Sequence, residues 1–275
     1  MHITEAIILG LIQGITELLP ISSSGHLFLA EFFNKQLNLG LNFSFQTTEF
    51  DIILHMATFI AIIIAFWPII KRLVTDWRSA ETKKLLINLI LTSIPSWIIG
   101  LVLLKTGDDF LKQPGLTAAM LIVVGIVLIV VDKNQKLQQQ TKEYKSLSFK
   151  DAIKIGLFQS LAALRGTSRS GITFIGGQTA GGLSRQSALD YAFLSSLPIF
   201  ASLAIIETAQ LFMDGQQNLF AKNGLELAIG FITALIFGLL SIRVLRSIVK
   251  KPGVLSAFGI YRIFLGALVI ALLLT

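Results

Sequence analysis

The sequence contains no cysteine, which excludes disulfides and thiolate metal sites. Charge is scarce as well: Asp, Glu, Lys and Arg make up 14% of the chain, against about 25% in an ordinary soluble domain. Histidine occurs three times, so any histidine near other polar residues is a candidate for chemistry. There is no basic stretch followed by a small-residue cleavage site, and we expect no removable signal peptide. In place of charge stands apolar content, 53% of residues, which excludes a soluble domain. Residues 1–275 read as one integral membrane domain. The net charge of +7 raises nucleic acid as a partner, but the basic residues flank the apolar runs. They are expected to fix topology beside anionic membrane lipids, with no nucleic acid bound.

Six segments are long enough to span a bilayer, which takes about 20 apolar residues. They run approximately over 48–69, 84–104, 115–132, 186–212, 225–245 and 254–274. Two further stretches, about 4–34 and 150–184, each hold a short apolar run, a polar break and a second short apolar run. Runs of about a dozen residues are too short to cross, and irregular backbone at membrane depth must be buried or line a wet cavity. Both stretches are therefore expected to be re-entrant helix-loop-helix hairpins. The loops 70–84, 133–150 and 243–251 are rich in Lys and Arg and should be cytoplasmic, whereas Asp108, Asp109 and Asp214 mark outward loops. Three spans separate the hairpins, so the second half is inverted relative to the first. The expected fold is an all-α polytopic membrane protein: six transmembrane helices, two re-entrant hairpins, and inverted-topology repeats over 1–132 and 150–275. Such repeats place their site where the repeats meet.

The hairpins carry related strings. The first reads Gln13-x-x-x-Glu17-Leu18-Leu19-Pro20-Ile21-Ser22-Ser23-Ser24-Gly25-His26 and the second Gln159-x-x-x-Ala163-Leu164-Arg165-Gly166-Thr167-Ser168-Arg169-Ser170-Gly171. They align without gaps, and Ala6, Ile7, Gly10 and Leu11 answer Ala152, Ile153, Gly156 and Leu157. Pro20 ends a helix and Gly25 permits a tight turn, so Ser22, Ser23 and Ser24 can offer hydroxyls and amides to an anion. Alone, these serines read equally well as caps and packing residues. Glu17 reads as functional, because an ionisable residue at membrane depth is costly, and Gln13 lies one turn before it on the same face. Beside Glu17 and three hydroxyls, His26 becomes a candidate base, acid or nucleophile. In the second loop, Arg165 and Arg169 flank Gly166, Thr167 and Ser168, with Ser170 following; guanidinium suits a bidentate grip on phosphate. Arg169 takes the position of Ser23, and Arg165 that of Leu19. Elsewhere, Asp51, Asp190 and Arg262 read as ion-paired structural charges, Glu207 lies deep in the fourth span, and His55 falls one turn from Asp51.

The run from Gln13 to His26 resembles the first signature of the BacA-type undecaprenyl-diphosphatases, and Gly166 to Gly171 resembles the second. The similarity extends to Phe50-Asp51, Phe66-Trp67, Ser195-Ser196-Leu197-Pro198 and Tyr261-Arg262. It implies hydrolysis of undecaprenyl diphosphate to the monophosphate and inorganic phosphate, recycling the lipid carrier of peptidoglycan synthesis, and a link to bacitracin resistance. It also implies a divalent cation, Mg²⁺ or Ca²⁺, and action at the outer face of the bacterial cytoplasmic membrane. By position, Glu17, Ser23, His26 and Arg169 match the family's essential residues; Gln13, Ser24, Ser168 and Thr173 match its supporting polar shell. Three positions depart from the usual pattern: Gln13 for glutamate, Arg165 for proline and His55 for an amide. On this reading Glu17 holds the cation and Arg169 the phosphates. Either Ser23 attacks with His26 as base, or His26 activates water. The polyprenyl diphosphate lipid is the expected partner, and a homodimer is left open. The alternative is an inverted-repeat transporter or flippase of an anionic or polyprenyl-phosphate substrate.

Overall fold

The computed structural model describes residues 3–36, 48–106, 109–213 and 224–274. Among these, backbone order is helical, apart from turns and one isolated bridge between Lys142 and Leu183. Five helical stretches are long and apolar enough to cross a membrane: Ala80–Leu103, Pro114–Lys133, Arg185–Ala209, Gly224–Ile248 and Val254–Leu273. The chain is thus a multi-pass membrane protein. The expected span at 48–69 differs. Its helix α3 (Thr48–Ala65) ends early, and α4 (Trp67–Thr75) leaves at 79°. Pro68 is the cause, because its ring would clash with the carbonyl four residues back and it has no N–H to continue the ladder.

The first hairpin is α1 (Ile3–Thr16) and α2 (Ser23–Gln36). After it and the α3–α4 pair come α5 (Ala80–Thr106) and α6 (Pro114–Lys133). The second half repeats the order with α7 (Phe149–Ser160), α8 (Arg169–Thr179), α9 (Arg185–Leu194), α10 (Ser196–Met213), α11 (Gly224–Ile248) and α12 (Val254–Leu273). At 1.5 Å per residue, α1 covers about 21 Å, short of a hydrocarbon core about 30 Å thick.

Each short leading helix packs on the other half of the chain. α1 lies along α11 in the same direction, so closely that a Cβ on Gly10 would fall 2.6 Å from the Gly230 carbonyl oxygen. α7 lies along α5, where a Cβ on Gly156 would fall 2.5 Å from the Thr92 oxygen. Asn88 and Thr92 reinforce that contact by donating to the Leu147 and Ala152 carbonyls at 3.1 Å each. Gly10 and Gly156 are the equivalent positions noted in the sequence, and they do the same work. Between these pairs, α6 and α12 run antiparallel, with Gly125 and Gly259 in backbone contact.

The three basic loops gather at one end. Glu81 receives Arg72 at 2.7 Å and Lys145 at 3.2 Å, joining the first two loops. Asp132 accepts from Arg185 at 2.6 Å and from the Ser256 hydroxyl at 2.6 Å, while Arg185 also reaches the Lys251 carbonyl. Asp190 is ion-paired as expected, with Arg246 at 2.9 Å. Asp108 and Asp214, expected on the opposite loops, lie outside the described residues. Gly156→Val should cost about 1–3 kcal/mol by overpacking the α5–α7 contact. Thermal unfolding in detergent checks this, with Gly100→Val, where a Cβ meets open space, as the near-neutral control.

Candidate active site

The two loops between the short helices have the same local construction. The first extends α1 by two bonds, from the Glu17 N–H to the Gln13 carbonyl and from the Leu19 N–H to the Ile15 carbonyl, and turns at Ser22 with φ of 72°. The second turns at Ser168 with φ of 68°, the equivalent position. These are the non-glycine residues with positive φ among the described ones, and such conformations cost on the order of 1–3 kcal/mol each. Each turn is closed by a serine pair: Ser22 Oγ to Ser24 Oγ at 3.0 Å, and Ser168 Oγ to Ser170 Oγ at 3.3 Å. Ser168 also caps α8 by accepting from the Gly171 N–H.

The loops meet tip to tip. The Gly166 N–H donates to Ser24 Oγ at 3.0 Å, and the Ser170 hydroxyl reaches the Glu17 and Leu19 carbonyls. Glu17 is the centre of the junction. Its Oε1 takes Arg169 Nη2 at 2.7 Å; its Oε2 takes the Ser23 hydroxyl at 2.7 Å and the Gln13 amide at 3.4 Å. Ser23 and Arg169 are the first residues of α2 and α8 and hold equivalent positions in the repeat. They take the two different oxygens of one carboxylate. The Arg169 guanidinium also stacks 3.7 Å above the Phe200 ring, and the Arg169 and Glu17 side chains are only 12% and 11% exposed.

Beneath the junction, Arg262 of α12 is fully buried. The expected ion pair is not what the structure holds. Its guanidinium donates to backbone carbonyls: Pro20 at 3.1 Å, Gly166 at 2.6 Å and Thr167 at 3.0 Å, with longer bonds to Leu121 and Met120. Buried carbonyls left free at two helix ends need donors, and an arginine fork supplies several at once.

A cavity of about 380 Å³ opens from the junction. Its wall carries Glu17, Ser22, Ser23, Ser24, Arg165, Ser168 and Arg169 together with apolar side chains, Leu103 of α5 and Ile199, Phe200 and Leu203 of α10. Six of the residues singled out from the sequence lie elsewhere. The His26 ring is turned away, with Nδ1 on the Ser22 carbonyl at 2.7 Å and Nε2 on the Tyr261 hydroxyl at 2.6 Å, where the rings stack. It lies one helical turn past Ser23, on the same side of α2, and Tyr261 of α12 takes up its ring. Gln13 supports Glu17 from behind. Gly25 packs on Leu121, and Ser170 bonds to backbone. Thr167 is buried, its hydroxyl without a partner, while Thr173 donates to the Gln159 amide oxygen at 3.4 Å. His55 does line the cavity, with its Nδ1 on the Asp51 carbonyl and its ring against Phe200.

Phe200, Tyr261 and Gln159 were not recognised as site residues in the sequence. Gln159, the repeat mate of Gln13, had a signal in the alignment; it accepts from Ser195 at 3.1 Å. Among the described residues no three His, Asp or Glu side chains stand close enough to hold a metal. Glu17 is the one carboxylate on the cavity wall, ringed by serine hydroxyls. That hard-oxygen set suits a Mg²⁺-like ion that brings most of its coordination as phosphate oxygens and water.

Fold and cavity together define a polytopic membrane protein with an acid, hydroxyl and arginine site built from two apposed loops. The chain belongs to the family described as Bacitracin resistance protein BacA, whose pattern matches residues 6–268. Among curated proteins, the undecaprenyl-diphosphatase of Lactiplantibacillus plantarum is 34% identical over 98% of this chain and 97% of its own. Those of Moorella thermoacetica and Geotalea daltonii are 34% and 36% identical, each over 98% of this chain.

The buried Glu17–Arg169 pair predicts non-additive stability. Glu17→Leu or Arg169→Met alone should cost about 3–5 kcal/mol by leaving one charge unpaired, and the double variant should recover most of it. Thermal unfolding of all three variants would give the coupling; additive losses would count against the pair.

Proposed function

We infer that this chain hydrolyses undecaprenyl diphosphate to undecaprenyl phosphate and inorganic phosphate. The observation that carries the reading is the convergence of Ser23 and Arg169 on Glu17 in a cavity with both polar and apolar lining, in a chain whose family relatives are named for this activity. The diphosphate head would lie against the polar side chains and the polyprenyl tail would leave past Leu103 and Leu203 toward lipid.

The hydrogen bond from Ser23 to Glu17 suits nucleophilic attack, since a nucleophile and its base must lie within about 2.6–3.2 Å. Ser23 Oγ attacks the terminal phosphorus as Glu17 takes its proton. The bond from that phosphorus to the bridging oxygen breaks, and undecaprenyl phosphate leaves. Water then adds to the phosphoserine phosphorus, the bond from Ser23 Oγ breaks as Glu17 returns its proton to that oxygen, and inorganic phosphate leaves with Ser23 and Glu17 restored. Arg169, freed from Glu17 as the carboxylate is protonated, neutralises charge on the transferring phosphoryl group. Ser22, Ser24 and Ser168 offer hydroxyls to its oxygens, and Arg165 faces the second phosphate. His26, held by Tyr261, shapes the start of α2 rather than taking the Ser23 proton. A divalent cation, Mg²⁺ or Ca²⁺, would be held by Glu17 and the serine hydroxyls and would supply Lewis-acid neutralisation of the phosphates.

The architecture fits this chemistry as an inverted repeat of 1–132 and 150–275, with the hairpins at about 4–34 and 150–184 re-entering from opposite faces. Support comes from α1 and α7 running along α11 and α5 from opposite ends, with their loops touching. The basic end would face the cytoplasm and the cavity the outer side of a bacterial cytoplasmic membrane. A transporter would share the pseudo-symmetry, but has no need for the serine–carboxylate pair in one repeat alone.

Phosphate release from a polyprenyl diphosphate by the purified protein tests the reading. Glu17→Gln should lower kcat about 10²–10⁴-fold and Arg169→Ala about 10²–10³-fold. Ser23→Ala should abolish an acid-trappable phosphoserine; turnover without that species would sink the covalent route. Chelation should stop release and added Mg²⁺ or Ca²⁺ restore it, whereas turnover indifferent to chelator would remove the cation from the scheme.

A further inference from the structure

We propose that Arg262 is a positioning residue of this phosphatase site, holding the two loops in the register that lets one phosphate meet groups from both. The proposal rests on the hydrolase reading above. Arg262 touches neither the cavity nor any carboxylate in the described residues, so the mechanism does not use it directly. Its partners explain its presence. Pro20 and Gly166 occupy equivalent positions in the two strings, and the guanidinium bonds both of their carbonyls, at 3.1 and 2.6 Å. Each carbonyl lies three residues before the first residue of the next helix, Ser23 or Arg169. Fixing the two carbonyls on one rigid planar group therefore fixes the separation of the nucleophilic hydroxyl from the phosphate-binding guanidinium. Among the described residues the direct links between the tips are the Gly166–Ser24 bond, the two bonds of Ser170 and the Glu17–Arg169 pair.

The Glu17–Arg169 link is the one that substrate would break. Once substrate draws Arg169 away from Glu17, the strongest bond across the junction is gone, and the hold of Arg262 persists. The neighbouring helix makes room for it: a Cβ on Gly125 would fall 3.3 Å from the Arg262 Cβ, so the α6–α12 seam is shaped to carry the side chain inward. Neutral carbonyls do not cancel its charge, so a full positive charge also lies beneath the anion site. A lysine could keep that charge, but it has three donors on one nitrogen and cannot span both loops with a planar fork.

The experiment uses full-length protein in nanodiscs, with Arg262→Lys and Arg262→Ala, measuring kcat, KM and thermal unfolding, each with and without millimolar guanidinium. Misplacing a reacting group by about 1 Å can cost 10²-fold, so Arg262→Ala should lose on the order of 10²-fold in kcat with KM changed far less. Arg262→Lys should fall between. Guanidinium should restore kcat in Arg262→Ala and leave wild type unchanged. A folded Arg262→Ala with wild-type kcat overturns the proposal. So does a loss of activity that follows the folded fraction and is not rescued, because that is a purely structural role. A wild type that releases no phosphate would sink the hydrolase reading instead; guanidinium-dependent stabilisation of Arg262→Ala would still report the hold on the loops.

Discussion

Backbone that leaves a helix inside an apolar protein finds no water for its carbonyls, and this site is built around the solution to that problem. Two helices stop short, two loops turn back, and the exposed carbonyls of both converge on Arg262. The rest of the site follows from that convergence. Serine hydroxyls satisfy the tight turns, Glu17 finds Arg169, and the strain at Ser22 and Ser168 is tolerated because neighbouring bonds on each side hold the turns closed. A polar site deep in an apolar protein is stable here because nearly every group in it is another's partner.

Much of this was legible in the sequence, for identifiable reasons. The apolar runs marked the spans because length and hydropathy are local properties, and the gapless match of the two strings pointed to one shared site. Glu17 and Arg169 stood out because charge at membrane depth needs a reason, and Ser23 because it answers Arg169 in the aligned strings. What was missed depended on direction rather than identity. His26 was grouped with Ser23 by proximity in sequence, whereas its ring contacts, the Ser22 carbonyl and the Tyr261 hydroxyl, come from the turn and from a distant helix. Arg262 was read as half of an ion pair because sequence shows carboxylates and not carbonyls; its partners are backbone atoms from two distant loops. Phe200 had no signal at all, since only the fold brings its ring under Arg169.

The departures from the usual family pattern also gain a physical meaning. With Gln13, the neighbour of Glu17 is an amide that donates to the carboxylate, where a second carboxylate would have repelled it. Arg165 and His55 both line the cavity, so two of the unusual residues alter its surface rather than the scaffold.

The exchange of short helices, α1 onto α11 and α7 onto α5, has a consequence for how such a chain could arise. A half-length ancestor would carry a hairpin with a glycine face and no helix of its own to cover it. Two copies lying in opposite orientations across the membrane would each cover the other's hairpin and complete one shared site. Fusion of the two would then free each copy from serving both roles. One could keep the acid and the nucleophile while the other became the arginine-bearing half, a division of labour that an identical pair could not make.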